Sequence, residues 1–202
     1  MTEYICNIAL GFIMFYGGFN TKWKTARPVA VKAVLLSTCG VILTAAFTML
    51  FCYFVLRFPI AESFLVGAVL SATDAASVFA ILRRKKLNLK DGVASLLEIE
   101  SGSNDPIAYM LTVIGIYILN GDNLIKVPYV IFAQIVYGVL IGIGLAVAAI
   151  YVLTRTDIIV NGLDTIFILA VVLLGLGLSQ LVGGNEFLCI YLFGILLGNS
   201  RI

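Results

Sequence analysis

Long apolar blocks recur along this chain, with its charges gathered in the short stretches between them. A run of about 20 apolar residues crosses the roughly 30 Å hydrocarbon core of a bilayer as a helix. Inside lipid, only a helix or a closed barrel satisfies its own backbone. Seven blocks are marked off by charge clusters and by Gly or Pro punctuation, at residues 5–19, 29–55, 60–82, 93–119, 129–153, 165–182 and 187–197. Five are long enough to span; the first and last are short. Hydrophobic residues make up 61% of the chain and charged ones 12%, against roughly half and a quarter in a soluble domain. The expected fold is therefore all-α: a polytopic membrane protein with about seven spans present and the lipid bilayer as its solvent.

Location matters more than total for the charges, since the net charge of +2 gives no broad basic face for nucleic acid. Alternate loops differ sharply in Lys and Arg. One set holds Lys22, Lys24, Arg27, Lys32, Arg83, Arg84, Lys85, Lys86, Lys90, Arg155 and Arg201; the other holds Arg57 and Lys126. Positive flanks stay on the cytoplasmic side, which places the loop from Arg83 to Lys90 in the cytoplasm and the N-terminus outside. Met1-Thr2-Glu3-Tyr4 has no features of a secretory signal. The short first block and the end at Gly198-Asn199-Ser200-Arg201-Ile202 suggest truncation on both sides.

Cys6, Cys39, Cys52 and Cys189 lie within apolar blocks with no CxxC pair and are expected to be small buried residues. Histidine is absent, so proton handling near neutral pH falls to carboxylates held out of water. The same absence removes most metal and nucleophile constellations. With no Gly-x-Ser-x-Gly and no HExxH, an intramembrane enzyme is disfavoured, and no cofactor or transition metal is implied.

The polar residues inside the spans carry the chemistry. Thr73 and Asp74 fall near the middle of the third block. A carboxylate there costs several kcal/mol unless it faces a cavity, finds a partner or is protonated. Ser71, Ala72, Ala75, Ala76 and Ser77 around it are small enough for close helix approach or for a helix break that exposes carbonyls. A bland alternative is a protonated Asp74 that only bonds a neighbouring helix. The fourth block contains Glu98, Glu100, Ser101, Asn104 and Asp105, followed by Pro106. At about 100° per residue, Glu98, Ser101 and Asp105 fall at roughly 0°, 300° and 340°, on one helix face, with Glu100 and Asn104 at roughly 200° and 240°. Ser101 and Asp105 are hard oxygen ligands suited to a small cation. Glu100, on its own face, calls for a buried Arg or Lys that no span here supplies. Reading 98–105 as an extramembrane turn would leave 93–97 too short to span.

These residues resemble the NhaP-type branch of the monovalent cation:proton antiporters, and within it proteins of the cell-volume-regulation or potassium/proton antiporter kind. The match comprises Ala72-Thr73-Asp74, then Glu98-x-Glu100-Ser101-x-x-Asn104-Asp105 some thirty residues later, with Gly17-Gly18-Phe19-Asn20 before and Leu197-Gly198-Asn199 after. The resemblance implies an inverted-repeat fold with discontinuous helices, with Thr73 and Asp74 at a helix break. It implies Asp105 as the carboxylate that binds cation and proton in turn, helped by Ser101, Asp74 and Thr73. Asn104 and Glu100 would be supporting residues, Glu100 pairing with an Arg on a late helix; Glu98 has no assigned role. Residues 1–202 would then be a partial exchanger domain that lacks its first spans and its C-terminal half. The implied activity is Na+ or K+ exchange for H+ at the plasma membrane, by a protein that is a homodimer at full length. A cation channel or a Na+-coupled solute symporter on a related fold is the alternative. Many relatives carry an acid where this chain has Tyr16, which leaves ion selectivity open. Gly138-x-x-x-Gly142 fits either helix dimerisation or tight packing within the chain.

Overall fold

The computed structural model describes residues 2–74, 77–78, 81, 92–122, 124–155 and 163–200. The loop from Arg83 to Lys90 and Arg201 lie outside the described residues. Seven α-helices are present among those described: α1 (Thr2–Asn20), α2 (Trp23–Phe54), α3 (Ile60–Leu70), α4 (Val93–Leu119), α5 (Val127–Arg155), α6 (Asp164–Leu181) and α7 (Glu186–Gly198). A 3-10 turn at Leu124–Lys126 leads into α5. No strand occurs among the described residues.

Each helix falls on one of the seven apolar blocks, but two of the five expected spans differ from a plain apolar rod. Among the described residues, α2, α6 and the segment Leu124–Arg155 are long and apolar enough to cross a membrane by length and composition alone. The fourth block is one helix of 27 residues that carries its acids within its length. The third opens with a helix of 11 residues, about 16 Å or half a bilayer core, and helix recurs at its described residues 77, 78 and 81.

Two compact units divide the chain: Met1–Thr25 with Ala133–Ile202, and Ala26–Phe132. In the first, α7 is the centre. Phe187, Cys189, Ile190, Tyr191, Phe193, Gly194 and Ile195 are all buried, so most of the helix surface is enclosed, and the face of Leu188, Leu192 and Leu196 is left partly open. Glycines let its neighbours approach closely. A Cβ added at Gly18 of α1 would lie 2.4 Å from the Tyr191 carbonyl oxygen, and one at Gly194 would lie 2.6 Å from that of Phe15. Gly138 and Gly142 of α5 pack the same way on the carbonyls of Asn185 and Cys189. The Gly138-x-x-x-Gly142 motif thus serves packing within the chain. Lipid offers no hydrophobic drive between helices, so association rests on such close contacts.

The second unit joins α2, α3 and α4. α2 buries a narrow stripe, Ala26, Ala33, Ser37, Val41, Ala45 and Cys52. Ala26 and Ala33 pack against Ile99 of α4, with Ala30 and Leu96 at the edge. Gly67 of α3 sits against the Ala45 carbonyl, and Gly115 of α4 against Leu65. The cysteines depart from expectation: Cys52 and Cys189 are buried, but Cys6 and Cys39 are exposed, because their helix faces meet no other described helix.

Candidate functional site

The third block breaks where its small residues begin. At the end of α3, the Ser71 N–H and hydroxyl both donate to the Ala68 carbonyl, at 3.3 and 2.6 Å. A serine hydroxyl that takes a backbone acceptor competes with helix continuation. Ala72, Thr73 and Asp74 are non-helical, and helix resumes at Ser77 and Val78. Asp74 starts the new turn. Its carbonyl accepts the Val78 N–H at 3.1 Å, and its carboxylate accepts the Ser77 N–H at 3.1 Å and the Ser77 hydroxyl. This is the N-cap arrangement, in which a side-chain oxygen satisfies an otherwise orphaned amide. The Asp-x-x-Ser spacing was its sequence signal; the resemblance implied a break at Asp74 but not that its side chain caps the helix that follows.

α4 lies alongside this break. Pro106 has no N–H, so the Gly102 carbonyl one turn earlier loses its helical donor. Ser101 and Asn104 are fully buried, while Glu98, Glu100 and Asp105 are half-buried. The Asn104 amide donates to the Thr73 hydroxyl, which ties the break to α4 from a position 31 residues away. Glu100 is within hydrogen-bonding reach of the same Asn104 side chain. Asp105 has the carboxyls of Asp74 and Glu100 as electrostatic neighbours. No group of three Asp, Glu, Cys or His side chains among the described residues is close enough to hold a metal ion.

Among the described residues, two buried oxygens in this region have no hydrogen-bond partner: the Ser101 hydroxyl and the Asn104 carbonyl oxygen. A buried polar atom without a partner costs about 1–3 kcal/mol, so both are suited to a cation or an ordered water. The structure therefore brings Thr73, Asp74, Glu100, Ser101, Asn104 and Asp105 into one neighbourhood. It differs from the helical-wheel expectation in one respect. Asn104 was placed with Glu100 on a face turned away from the site, yet its amide engages Thr73, because α4 is enclosed widely enough to bury both sectors. Glu98 is half-buried on the same helix, one turn before Ser101.

The flanking motifs meet in the other unit. A Cβ added at Gly198 would lie 1.9 Å from the Phe19 carbonyl oxygen. The Asn199 amide donates to the Thr21 carbonyl at 2.8 Å, and its oxygen accepts the Trp23 N–H at 2.8 Å. Tyr16 is exposed, and its carbonyl accepts the Asn20 amide at 2.8 Å. The sequence motifs included Asn199 but neither Gln134 nor the buried Glu186.

An apolar helical chain with acids and amides at a helix break is a multi-pass membrane protein. Its family model, described as "Sodium/hydrogen exchanger, transmembrane", matches residues 1–202. The chain belongs to that family. It is 34% identical over 200 residues to the K(+)/H(+) antiporter NhaP of Alkalimonas amylolytica, covering 98% of this chain and 35% of the relative. It is 35% identical over 200 residues to the K(+)/H(+) antiporter NhaP2 of Shewanella sp. (strain ANA-3), covering 97% and 34%. The probable Na(+)/H(+) antiporter 2 of Methanocaldococcus jannaschii is 27% identical over 143 residues, covering 70% and 33%. The chain spans about a third of the length of these curated relatives.

Proposed function

We propose that the full-length protein exchanges a monovalent cation, Na+ or K+, for a proton across the plasma membrane, and that the chain is the part of the exchanger domain carrying one half of the ion site. The observation that supports this most directly is the placement of Asp105 beside a helix break, with the buried, donorless oxygens of Ser101 and Asn104 next to it. A carboxylate that must lose its proton to hold a cation makes the two compete for one position. Ser101 adds a neutral ligand, and Thr73 and Asp74 supply the far side. Asn104 and Glu100 hold the two segments in register. Because residue 104 is an amide and not a second acid, one cation replaces one proton and the exchange is electroneutral. Alternating access then comes from movement of one helical bundle against another. In this reading the N-terminus lies outside, the loop from Arg83 to Lys90 is cytoplasmic, and the protein works as a homodimer.

The test is cation-driven proton movement in vesicles containing the full-length protein. Asp105→Asn is expected to abolish exchange and Ser101→Ala to raise the apparent KM for the cation. Wild-type exchange by Asp105→Asn would overturn the assignment. Currents without proton coupling would favour a channel, and flux that requires an organic co-substrate would favour a symporter.

A further inference from the structure

The compact unit that does not contain Asp105 holds a buried carboxyl of its own. Glu186, the first residue of α7, is 2% exposed, and any further part of the protein can only shield it more. Among the described residues, its hydrogen-bond donor is the Asn7 amide of α1, at 3.3 Å. No described cation pairs with it.

A carboxylate can be held in place by the amides of a helix N-terminus, but several of these are already engaged. The Asn185 N–H goes to the Gln134 carbonyl at 2.9 Å, the Leu188 N–H to the Asn185 side chain at 2.9 Å, and the Cys189 N–H to the Asn185 carbonyl at 3.0 Å. Other charged and titratable groups stand on the packed helices, and on α1 they include Glu3, one turn before Asn7. On α1, Tyr4 and Cys6 are exposed and Tyr16 lies toward the other end. On α6, Asp164 is roughly 22 Å along the helix from Ser179, and on α5 Arg155 is about 30 Å from Gln134. The remaining titratable groups on α5 and α7 are the exposed phenols of Tyr129 and Tyr151, the phenols of Tyr137 and Tyr191 and the thiol of Cys189. An acid enclosed by apolar helices and supported by a single amide lacks what a buried charge requires.

A second observation points to what this place takes up. Gln134, whose main-chain carbonyl bonds residue 185, is 3% exposed, and its side-chain oxygen has no donor. A carboxylic acid O–H is a donor of the kind this acceptor lacks. We propose that Glu186 is a second proton-binding site of this protein, separate from the Asp105 site, whose neutral acid joins α1 to α7 through Asn7 and offers its hydroxyl to Gln134. Loss of the proton would leave a charge between α1 and α7 and weaken their contact. The inference does not depend on the transport reading.

Infrared difference spectra of the full-length protein in liposomes, recorded across pH steps, test it. Glu186→Gln keeps the shape and the Asn7 contact but cannot titrate. It is expected to remove one pH-sensitive carboxylic acid carbonyl band that Asp105→Asn leaves in place. Asn7→Leu is expected to shift that same band, because the acid loses its amide donor; this variant keeps the test open should Glu186→Gln fold poorly. Difference spectra unchanged by Glu186→Gln, or a band unmoved by Asn7→Leu, would overturn the proposal. Failure of wild-type protein to exchange cations for protons would bear only on the Asp105 site.

Discussion

If the Asn104 bond to Thr73 holds the break of the third block against α4, then removing either partner should have a cost that depends on the other. Thr73→Val keeps the shape and removes the hydroxyl. Asn104 is 1% exposed, so the amide hydrogen given to Thr73 would lose its acceptor while buried, at about 1–3 kcal/mol, with Glu100 left as the acceptor within reach. Thr73→Ser keeps the hydroxyl on an exposed residue and should stay within about 0.5 kcal/mol of wild type. Asn104→Ala removes the donor and leaves the Thr73 hydroxyl free to find water. Once Asn104 is gone, Thr73→Val should therefore cost little. The coupling in the double-mutant cycle is expected to be about 1 kcal/mol, near the net worth of one hydrogen bond. The assay is equilibrium unfolding of the full-length protein in mixed micelles, with all four corners of the cycle measured under one condition. Coupling below about 0.3 kcal/mol, the level at which independent sites simply add, would refute the claim that this bond holds the break. Equal losses from Thr73→Val and Thr73→Ser would do the same.

Other consequences follow from the packing. Gly18→Ala places a Cβ against the Tyr191 backbone and should lower thermal stability by about 1–3 kcal/mol; Gly144→Ala, where nothing lies within 4 Å, should be neutral or stabilising by up to about 1 kcal/mol. Equal melting shifts for the two would contradict the contact between α1 and α7. Asn185→Ala removes the side chain that accepts the Leu188 N–H and should cost about 1 kcal/mol by the same measurement.

The helices were legible in the sequence because hydropathy and helix length are two views of one constraint, the thickness of the apolar layer. The block at 93–119 coincides with α4 at both ends. Hydropathy alone did not mark the break in the block at 60–82, since Ser71, Ala72, Ala75 and Ala76 do not lower the apolar average as a turn would; the small residues allowed a break and the resemblance implied it at Thr73 and Asp74. What ends α3 is the Ser71 hydroxyl on the Ala68 carbonyl, and what restarts helix is the Asp74 cap, both specific bonds that a window average cannot register. The periodicity of α4 gives directions around the helix, but not how wide a sector the neighbours cover. Asn104, assigned to the far face, therefore turned up on Thr73. Glu186 escaped notice for another reason: it stands at the edge of a short block after Gly183 and Gly184, where an acid reads as a loop residue. The Asn-Glu pair was a helix start, and only the fold of α1 over it shows that the acid is buried.

Gly17-Gly18-Phe19-Asn20 and Leu197-Gly198-Asn199 supported the family resemblance as separate motifs at opposite ends of the chain. In the structure they are one contact. Gly18 and Gly198 let the α1 and α7 backbones touch, and Asn199 then spans the corner by bonding Thr21 and Trp23. A side chain at either glycine would hold the backbones apart, and the Asn199 bonds at 2.8 Å leave little slack for that displacement. The requirement falls jointly on the glycines and the asparagine, so Asn199→Ala in a Gly18→Ala background should add less destabilisation than it does alone.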